Sequence, residues 1–316
     1  MSEADVMRRL VAGELYVEAW GVRDAPALLY LHGGPGQGCY EFVEHQAARL
    51  SDKIRVVALD QRGVLRSAAL PPQGTLTIAD LIADCETVRT HLEIENWTVL
   101  GQSFGGMVAL RYAIEHPVSV TGVIFENPCW DVARTCRSVL SAFVAHRTAV
   151  SHPAGAARAA QILRTEADAR ALWAMLLDVL REFGQDRHEL YIPDQDTRQR
   201  IADMLVAAPF TADQWGKGGD HLARLTQDDD FYQDHTPLLQ QMQQPAVLIK
   251  GERDPIPSAE EVCDFRHALP HAEVRTYHCG HFVQAEKQLE YTRLVSDFVL
   301  GHGKRPKSQT LPSRTS

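Results

Sequence analysis

The sequence predicts an α/β fold in which a mostly parallel β-sheet carries helices on its faces and is interrupted by a helical insertion. Short β-branched runs alternate with helical patterns through residues 14–125, an order typical of parallel strands joined by helical crossovers. Residues 130–239 show only helical periodicity, and the strand pattern returns at 246–277. We therefore expect a sheet core from residues 1–129 and 240–300, with 130–239 inserted as a helical cap.

The individual elements follow from local composition. Seven strands are predicted, at 14–20, 26–31, 54–59, 97–101, 120–125, 246–250 and 273–277. Core helices are predicted over 40–50, 77–92, 104–116 and 282–300. Pro117 ends the third of these, because its ring prevents the helix from continuing. Residues 301–316 are polar and basic, and we expect them to be disordered.

Composition and charge limit the classes of partner. The net charge of −9 over 316 residues argues against nucleic acid or an anionic membrane as the main partner and suits a small substrate or short peptide. The chain has no apolar run long enough to span a bilayer, and its N-terminus lacks the hydrophobic region of a signal peptide. Six cysteines without a CxxC pair indicate a reduced, cytoplasmic protein. Zinc-ligand spacing is absent, so we expect no metal and no other cofactor; the oligomeric state is left open.

The strongest motif is Gly101-Gln102-Ser103-Phe104-Gly105, a GxSxG pattern between a predicted strand and a predicted helix. In the nucleophile elbow of an α/β-hydrolase fold, this turn is strained, and small flanking residues let the strand and helix approach each other. The motif therefore predicts Ser103 as a nucleophile held above the sheet. The alternative is a glycine-rich helix start with an incidental serine.

A nucleophilic serine needs a base and an orienting carboxylate, which follow it along the chain in this fold. Asp254 follows the strand at 246–250, and His281 follows the strand at 273–277. Successive parallel strands end at the same edge of the sheet, so these two side chains can meet there. We therefore predict a triad of Ser103, Asp254 and His281.

Other side chains at the same edge are alternatives. His278 could replace His281 as the base, although it still lies at the end of its strand. Glu252 and Glu126 could replace Asp254 as the orienting acid, because each also lies near a strand end.

The loop His32-Gly33-Gly34-Pro35-Gly36 follows the second predicted strand and suits an oxyanion hole. We predict that the backbone N–H groups of Gly34 and Phe104 stabilise the oxyanion, because Pro35 has no N–H to donate. We expect His32 to brace the loop. Phosphate binding is the alternative, but the loop matches neither GxGxxG nor GxxxxGK[ST].

Five motifs together resemble the proline iminopeptidase family of α/β-hydrolases. They are HGGPG at 32–36, DQRG at 60–63 with Arg66 and Ser67, GQSFGG at 101–106, GERD at 251–254 and GHF at 280–282. The resemblance implies a Ser–Asp–His hydrolase with a helical cap, which releases an N-terminal residue, often proline, from peptides. It also implies catalytic roles for Ser103, Asp254 and His281, and oxyanion roles for Gly34 and Phe104.

Two departures from the family pattern favour a relative with another substrate. Leu65 replaces the second glycine of DQRGxGxS, and Phe104 replaces the tryptophan that often follows the nucleophile. An aminopeptidase must also bind a free amino group with nearby carboxylates. Glu126 is our first candidate for this role, and the other acids available are Asp131, Asp178, Glu182 and Glu189.

The sequence thus predicts a serine hydrolase that forms an acyl-enzyme, in the first instance a proline iminopeptidase-like aminopeptidase. The alternative is a carboxylic-ester, lactone or amide hydrolase on the same scaffold, because fold and triad do not fix the substrate. A non-catalytic ligand-binding relative is disfavoured by the complete triad. A dehalogenase or epoxide hydrolase with an aspartate nucleophile is disfavoured by Ser103.

Overall fold

The computed structural model describes residues 6–146 and 151–302 and places eight strands of this part of the chain in one sheet. The strands are β1 Val6–Val11, β2 Leu15–Trp20, β3 Ala27–Leu31, β4 Arg55–Leu59, β5 Trp97–Gln102, β6 Val120–Glu126, β7 Ala246–Gly251 and β8 Glu273–Tyr277. Their order across the sheet is β1-β2-β4-β3-β5-β6-β7-β8. The pairs from β4 to β8 are parallel, and β1 and β2 add an antiparallel hairpin at one edge. The predicted mostly parallel sheet is confirmed.

Helices cover both faces of this sheet. The core helices are α1 Tyr40–Phe42, α2 Ala48–Leu50, α3 Ile78–His91, α4 Phe104–Glu115, α11 Ala259–Ala268, α12 Val283–Glu286 and α13 Gln288–His302. Successive residues of a central strand enter different apolar clusters: Val99 packs with α3 and α4, whereas Leu100 packs with α13. Because both faces are buried at the centre of the sheet, the central strands β3 and β5 are buried along their whole length and are mostly apolar.

Between β6 and β7, every element that the described residues form is helical. These helices are α5 Val132–Ala145, α6 Pro153–Ile162, α7 Ala169–Phe183, α8 His188–Tyr191, α9 Gln195–Ala207 and α10 Ala212–Leu225, with short 3₁₀ turns at Gly184–Arg187, Asp230–Tyr232 and Thr236–Gln241. We call this segment, residues 132–241, the helical insertion. Its helices pack through apolar faces, for example where the rings of Phe143 and Phe183 lie 4.4 Å apart.

The structure differs from the predicted elements in a few places. Strand β1 was not predicted, because its central residues Arg8–Leu10 are exposed at the sheet edge and show no apolar alternation. A π-helical segment, Val43–Ala47, separates α1 from α2, and Lys287 separates α12 from α13. Helix α13 includes residues 301 and 302, and the rest of the predicted disordered tail lies outside the described residues.

Within residues 6–146 and 151–302, no helix combines the length and apolar character that a transmembrane span needs. The same residues contain no group of three or more His, Cys, Asp or Glu side chains arranged to hold a metal ion.

Candidate active site

Ser103 lies at the turn between β5 and α4 with φ of 53°, a left-handed conformation that is strained for any residue with a Cβ. Its N–H donates to the Glu126 carbonyl at 2.9 Å, and its own carbonyl accepts from Gly106 and Cys129. A Cβ at Gly105 would overlap the Leu31 carbonyl, so helix and sheet meet here with no room for a side chain. Neighbouring backbone and glycines thus hold the strained turn in place.

Asp254 and His281 form a buried pair at the same edge of the sheet. The Nδ1 of His281 donates to Asp254 Oδ2 at 2.6 Å, and both residues are only 5% exposed. The structure thus brings together the predicted acid and the predicted base. Because Nδ1 carries the proton, Nε2 is left as an acceptor. Among the described residues Ser103 Oγ has no hydrogen-bond partner. The hydrogen bond between a catalytic serine and its base often tightens only when substrate binds.

The alternative base and acid are found together on the surface. Nδ1 of His278 pairs with Glu252 Oε2, also at 2.6 Å, but the two side chains are 65% and 59% exposed. A solvated pair at this distance contributes little, since water screens both charges. Burial therefore distinguishes the His281–Asp254 pair from the exposed His278–Glu252 pair, although both pairs follow the same two strands.

The buried position of Glu126 is at odds with our expectation that it binds substrate. Its side chain is fully buried, with Oε2 accepting from the Tyr291 hydroxyl at 2.7 Å and Oε1 from the Gln284 N–H at 3.1 Å. Burial raises the pKa of this carboxyl to about 8. Its oxygens are bonded to groups of α12 and α13, so a substrate ammonium group would have to displace these partners.

The other acids proposed for amine binding all have arginine partners. The shortest N–O separations in these pairs are 3.1 Å for Asp131–Arg134, 2.8 Å for Asp178–Arg181, 2.6 Å for Glu182–Arg158 and 3.5 Å for Glu189–Arg198. Asp131 also caps helix α5 by accepting from the backbone N–H groups of Ala133 and Arg134. A substrate ammonium group would have to compete with these arginines.

The glycine loop after β3 passes directly beside Ser103. A Cβ at Gly33 would lie 2.5 Å from Gln102 Oε1 and 2.8 Å from Ser103 Cβ, so only glycine fits there. Gly34 follows with φ of 111°, a conformation that favours glycine. The N–H groups of Gly34 and Phe104 have no acceptor within the part of the chain that the structure describes. Two unpaired donors beside a serine can bind an oxyanion.

His32 joins this loop to the one after β4. It is fully buried, its Nδ1 donates to the Gly33 carbonyl at 2.9 Å, and its Nε2 accepts from the Gln61 N–H at 3.1 Å. Burial lowers the pKa of the imidazole, which favours this neutral tautomer. Both ring nitrogens are occupied, so His32 has a bracing geometry.

The DQRG motif at 60–63, together with Arg66, forms hydrogen bonds just after the end of the glycine loop. Arg66 Nε donates to Asp60 Oδ2 at 2.7 Å, and the other oxygen of Asp60 accepts from the Cys39 N–H at 2.8 Å. Leu65, which departs from the family pattern, has φ of 38°, where a glycine would be unstrained. Its side chain fits because Gly38 has no Cβ at that point.

Sequence reasoning missed two residues that hold the base loop. Asn127, directly after β6, donates from Nδ2 to the His281 carbonyl and accepts at Oδ1 from the Gly251 N–H, each at 2.9 Å. The sequence feature that could have indicated Asn127 is an asparagine directly after a strand that ends at the same edge of the sheet as Asp254 and His281. Tyr191 of the helical insertion accepts the His281 N–H at its carbonyl at 2.7 Å, and its ring packs edge-on against the imidazole. No local pattern marks Tyr191.

Comparison with known proteins gives relatives for part of the chain. It is 40% identical over 114 residues to a putative proline iminopeptidase of Mycoplasma pneumoniae, covering 35% of each chain. It is 39% identical over 113 residues to the proline iminopeptidase of Xylella fastidiosa strain 9a5c, covering 36% of each. The matched segment thus spans about a third of these relatives' length.

Two solved structures share the fold over almost the full length. A proline iminopeptidase-related protein from Thermus thermophilus has a TM-score of 0.74 at 23% identity, with 94% of this chain and 98% of that one covered. The enol-lactonase from Burkholderia xenovorans LB400 has a TM-score of 0.64 at 20% identity, with 93% and 100% covered. A family model described as alpha/beta hydrolase fold matches residues 26–288. With most of its length matched, the chain belongs to the α/β-hydrolase fold family.

Proposed function

We propose that this protein is a serine hydrolase that acts through an acyl-enzyme on Ser103. The observation that carries the proposal is the buried 2.6 Å pair of His281 and Asp254 at the sheet edge where Ser103 occupies its strained turn. This combination supplies a nucleophile, a base and an orienting acid in the chain order that the fold uses.

In this mechanism, Ser103 Oγ attacks the acyl carbonyl while His281 Nε2 accepts its proton. Asp254 keeps Nδ1 protonated and stabilises the imidazolium that forms. The N–H groups of Gly34 and Phe104 bind the oxyanion of the tetrahedral intermediate. His281 then protonates the leaving amine or alcohol, and water attacks the acyl-enzyme through the same base to release the acid and restore Ser103.

For the substrate, we propose an aminopeptidase of the proline iminopeptidase type that releases an N-terminal residue from short peptides. The motifs and the partial relatives support this substrate class. We also propose that residues 130–239 act as a cap, since Tyr191 from this segment contacts His281.

The second candidate is a carboxylic-ester, lactone or amide hydrolase. It is favoured by the absence of an available amine-binding carboxylate among the predicted acids. Glu126 is bonded within the core, and the other four acids pair with arginines. An ester or lactone has no ammonium group and would need no such carboxylate.

The test is a substrate panel run with the wild type and the Ser103→Ala variant. Prolyl and other aminoacyl arylamides are compared with p-nitrophenyl esters, and Ser141→Ala serves as the control because Ser141 Oγ bonds only to its own helix. We expect Ser103→Ala to lower kcat by several orders of magnitude. Activity that survives this change refutes the mechanism, and turnover of esters alone refutes the aminopeptidase assignment.

A further inference from the structure

Helix α10 of the helical insertion contacts the oxyanion loop backbone to backbone. A Cβ built at Gly36 would lie 2.5 Å from the Gly218 carbonyl oxygen, and a Cβ at Gly218 would overlap the Gly36 carbonyl oxygen. Real Cβ atoms do not approach other atoms this closely. The two segments therefore meet at a point where neither can carry a side chain.

Two hydrogen bonds fix α10 beside this contact. Lys217 Nζ donates to the Ser67 carbonyl at 2.6 Å, and His221 Nδ1 donates to the Arg62 carbonyl at 2.8 Å. His221 is fully buried. Because both bonds reach the loop after β4, α10 cannot slide along the core without breaking one of them.

A displacement of Gly36 would also move Gly34, the oxyanion donor two residues earlier in the chain. The Gln37 N–H donates to the Gly33 carbonyl at 3.3 Å, which closes a turn with Gly34 inside it. Gly33 in turn lies against Ser103 Cβ without space to move. Displacement of Gly36 would therefore rotate the Gly34 peptide, whose N–H must point at the oxyanion.

We propose that Gly218 of the helical insertion is a positioning residue that fixes the Gly34 N–H in the oxyanion hole. This inference rests on the proposed function, since it presumes an oxyanion formed at Ser103. It gives Gly218, through its contact with Gly36, an indirect effect on the reaction, because stabilisation of a developing charge requires donors held within a few tenths of an ångström.

The same helix provides matched controls. A Cβ at Gly216 or at Gly219 would meet nothing within 4 Å. Alanine at any of the three positions raises intrinsic helix propensity by a similar amount. Gly218→Ala and Gly219→Ala therefore differ in one respect, which is the contact with Gly36.

The experiment measures phosphonylation of Ser103 by a fluorophosphonate, whose phosphoryl oxygen occupies the oxyanion position and which requires no knowledge of the natural substrate. We expect Gly218→Ala to lower the maximal inactivation rate at least tenfold while the half-saturating probe concentration stays within about twofold. We expect Gly219→Ala to stay within about twofold of the wild type for both. Equal rates for the two variants would overturn the proposal.

A further variant covers the case in which Gly218→Ala does not fold. Lys217→Met removes the bond to Ser67 and leaves the glycine contact intact; we expect about a threefold loss in maximal inactivation rate, and an unchanged rate would overturn the proposal. Ser103→Ala separates the two hypotheses. If that variant is labelled like the wild type, the proposed function fails; if labelling needs Ser103 but is insensitive to α10, only this inference fails.

Discussion

At the scale of single residues, burial separates a candidate catalytic pair from a surface pair. His281–Asp254 and His278–Glu252 have the same 2.6 Å separation, and each follows the same two strands. Only the first is shielded from water, which strengthens its electrostatic interaction and fixes the imidazole tautomer. A histidine that accepts a proton at Nε2 needs that fixed tautomer.

Replacing Asp254 with asparagine should therefore stop the reaction without changing the fold. The amide can donate to Nδ1 and so favours the tautomer with the proton on Nε2, which cannot accept from Ser103. We expect kcat to fall by about 10³- to 10⁴-fold, measured on whichever arylamide or ester the wild type cleaves. Glu252→Gln is the control and should stay within about twofold. A similar loss in both variants would contradict the assignment of the acid.

The buried Glu126 carboxyl predicts a pH-dependent stability. Its pKa is raised by burial to about 8 in the folded protein, against its ordinary value of 4.5 in an unfolded chain. The stabilisation from the protonated form is complete below the unfolded pKa and is lost as pH rises from about 4.5 through 8.

We expect Glu126→Gln to remove this loss, because the neutral amide still accepts from Gln284 and does not ionise. Thermal unfolding of both proteins from pH 5 to pH 9 is the measurement. The Tm of the variant relative to that of the wild type should rise with pH. A difference in Tm that is constant or falls with pH would show that Glu126 is ionised in the fold.

The turn at Ser103 and the pairing of His281 with Asp254 were predictable from the motif and the chain order, whereas the environment of Glu126 was not. Residues 124–126 alternate between the two faces of a sheet that is buried on both sides, so composition does not reveal which face meets a helix. Glu126 lies on the face covered by α13, where Tyr291 reaches it. The Tyr191–His281 contact depends in the same way on packing between distant segments.

At the scale of elements, the loops after β6, β7 and β8 meet through one side chain. Asn127 bonds to the backbone of Gly251, the last residue of β7, which leads into the loop with Asp254, and to the backbone of His281 in the loop after β8. Its φ of 43° is unusual for a non-glycine residue but is tolerated by asparagine. The strands themselves were predictable from their apolar runs; this bridge between their ends was not, since it joins residues more than 120 positions apart.

Asn127→Ala should loosen the acid and base loops together. Two buried backbone groups lose their partners, and we expect a loss of about 2–3 kcal/mol in the free energy of unfolding. We also expect kcat to fall about 10- to 100-fold with a smaller change in KM, because His281 is less well oriented. Asn96→Ala, at a half-buried position without a side-chain hydrogen bond in the described part of the chain, is the control. A stable variant with unchanged kcat would show that the loops hold their positions without Asn127.

At the scale of the whole molecule, one arginine links the N-terminal hairpin, the core and the helical insertion. Arg66 pairs with Glu18 of β2 at 2.5 Å and with Asp60 after β4 at 2.7 Å. Its guanidinium lies 4.0 Å from the ring centre of Tyr16 and 5.4 Å from that of Phe210, which belongs to the insertion. The guanidinium of Arg66 thus contacts three parts of the chain that are distant in sequence.

Arg66→Met should destabilise the protein more than the loss of a surface ion pair would. The carboxylates of Glu18 and Asp60 are at most 3% exposed. Removing the cation leaves Asp60 without a charged partner among the described residues and leaves Glu18 paired only with the half-exposed Arg8. Breaking a buried pair in this way costs about 3–5 kcal/mol, and the 14% exposure of Arg66 reduces our expectation to about 2–4 kcal/mol.

Denaturant unfolding with Arg23→Met as control is the measurement. The Arg23–Glu93 pair is 68% and 73% exposed, so its loss should change stability by less than about 1 kcal/mol. Equal stabilities of the two variants would contradict a stabilising role for Arg66.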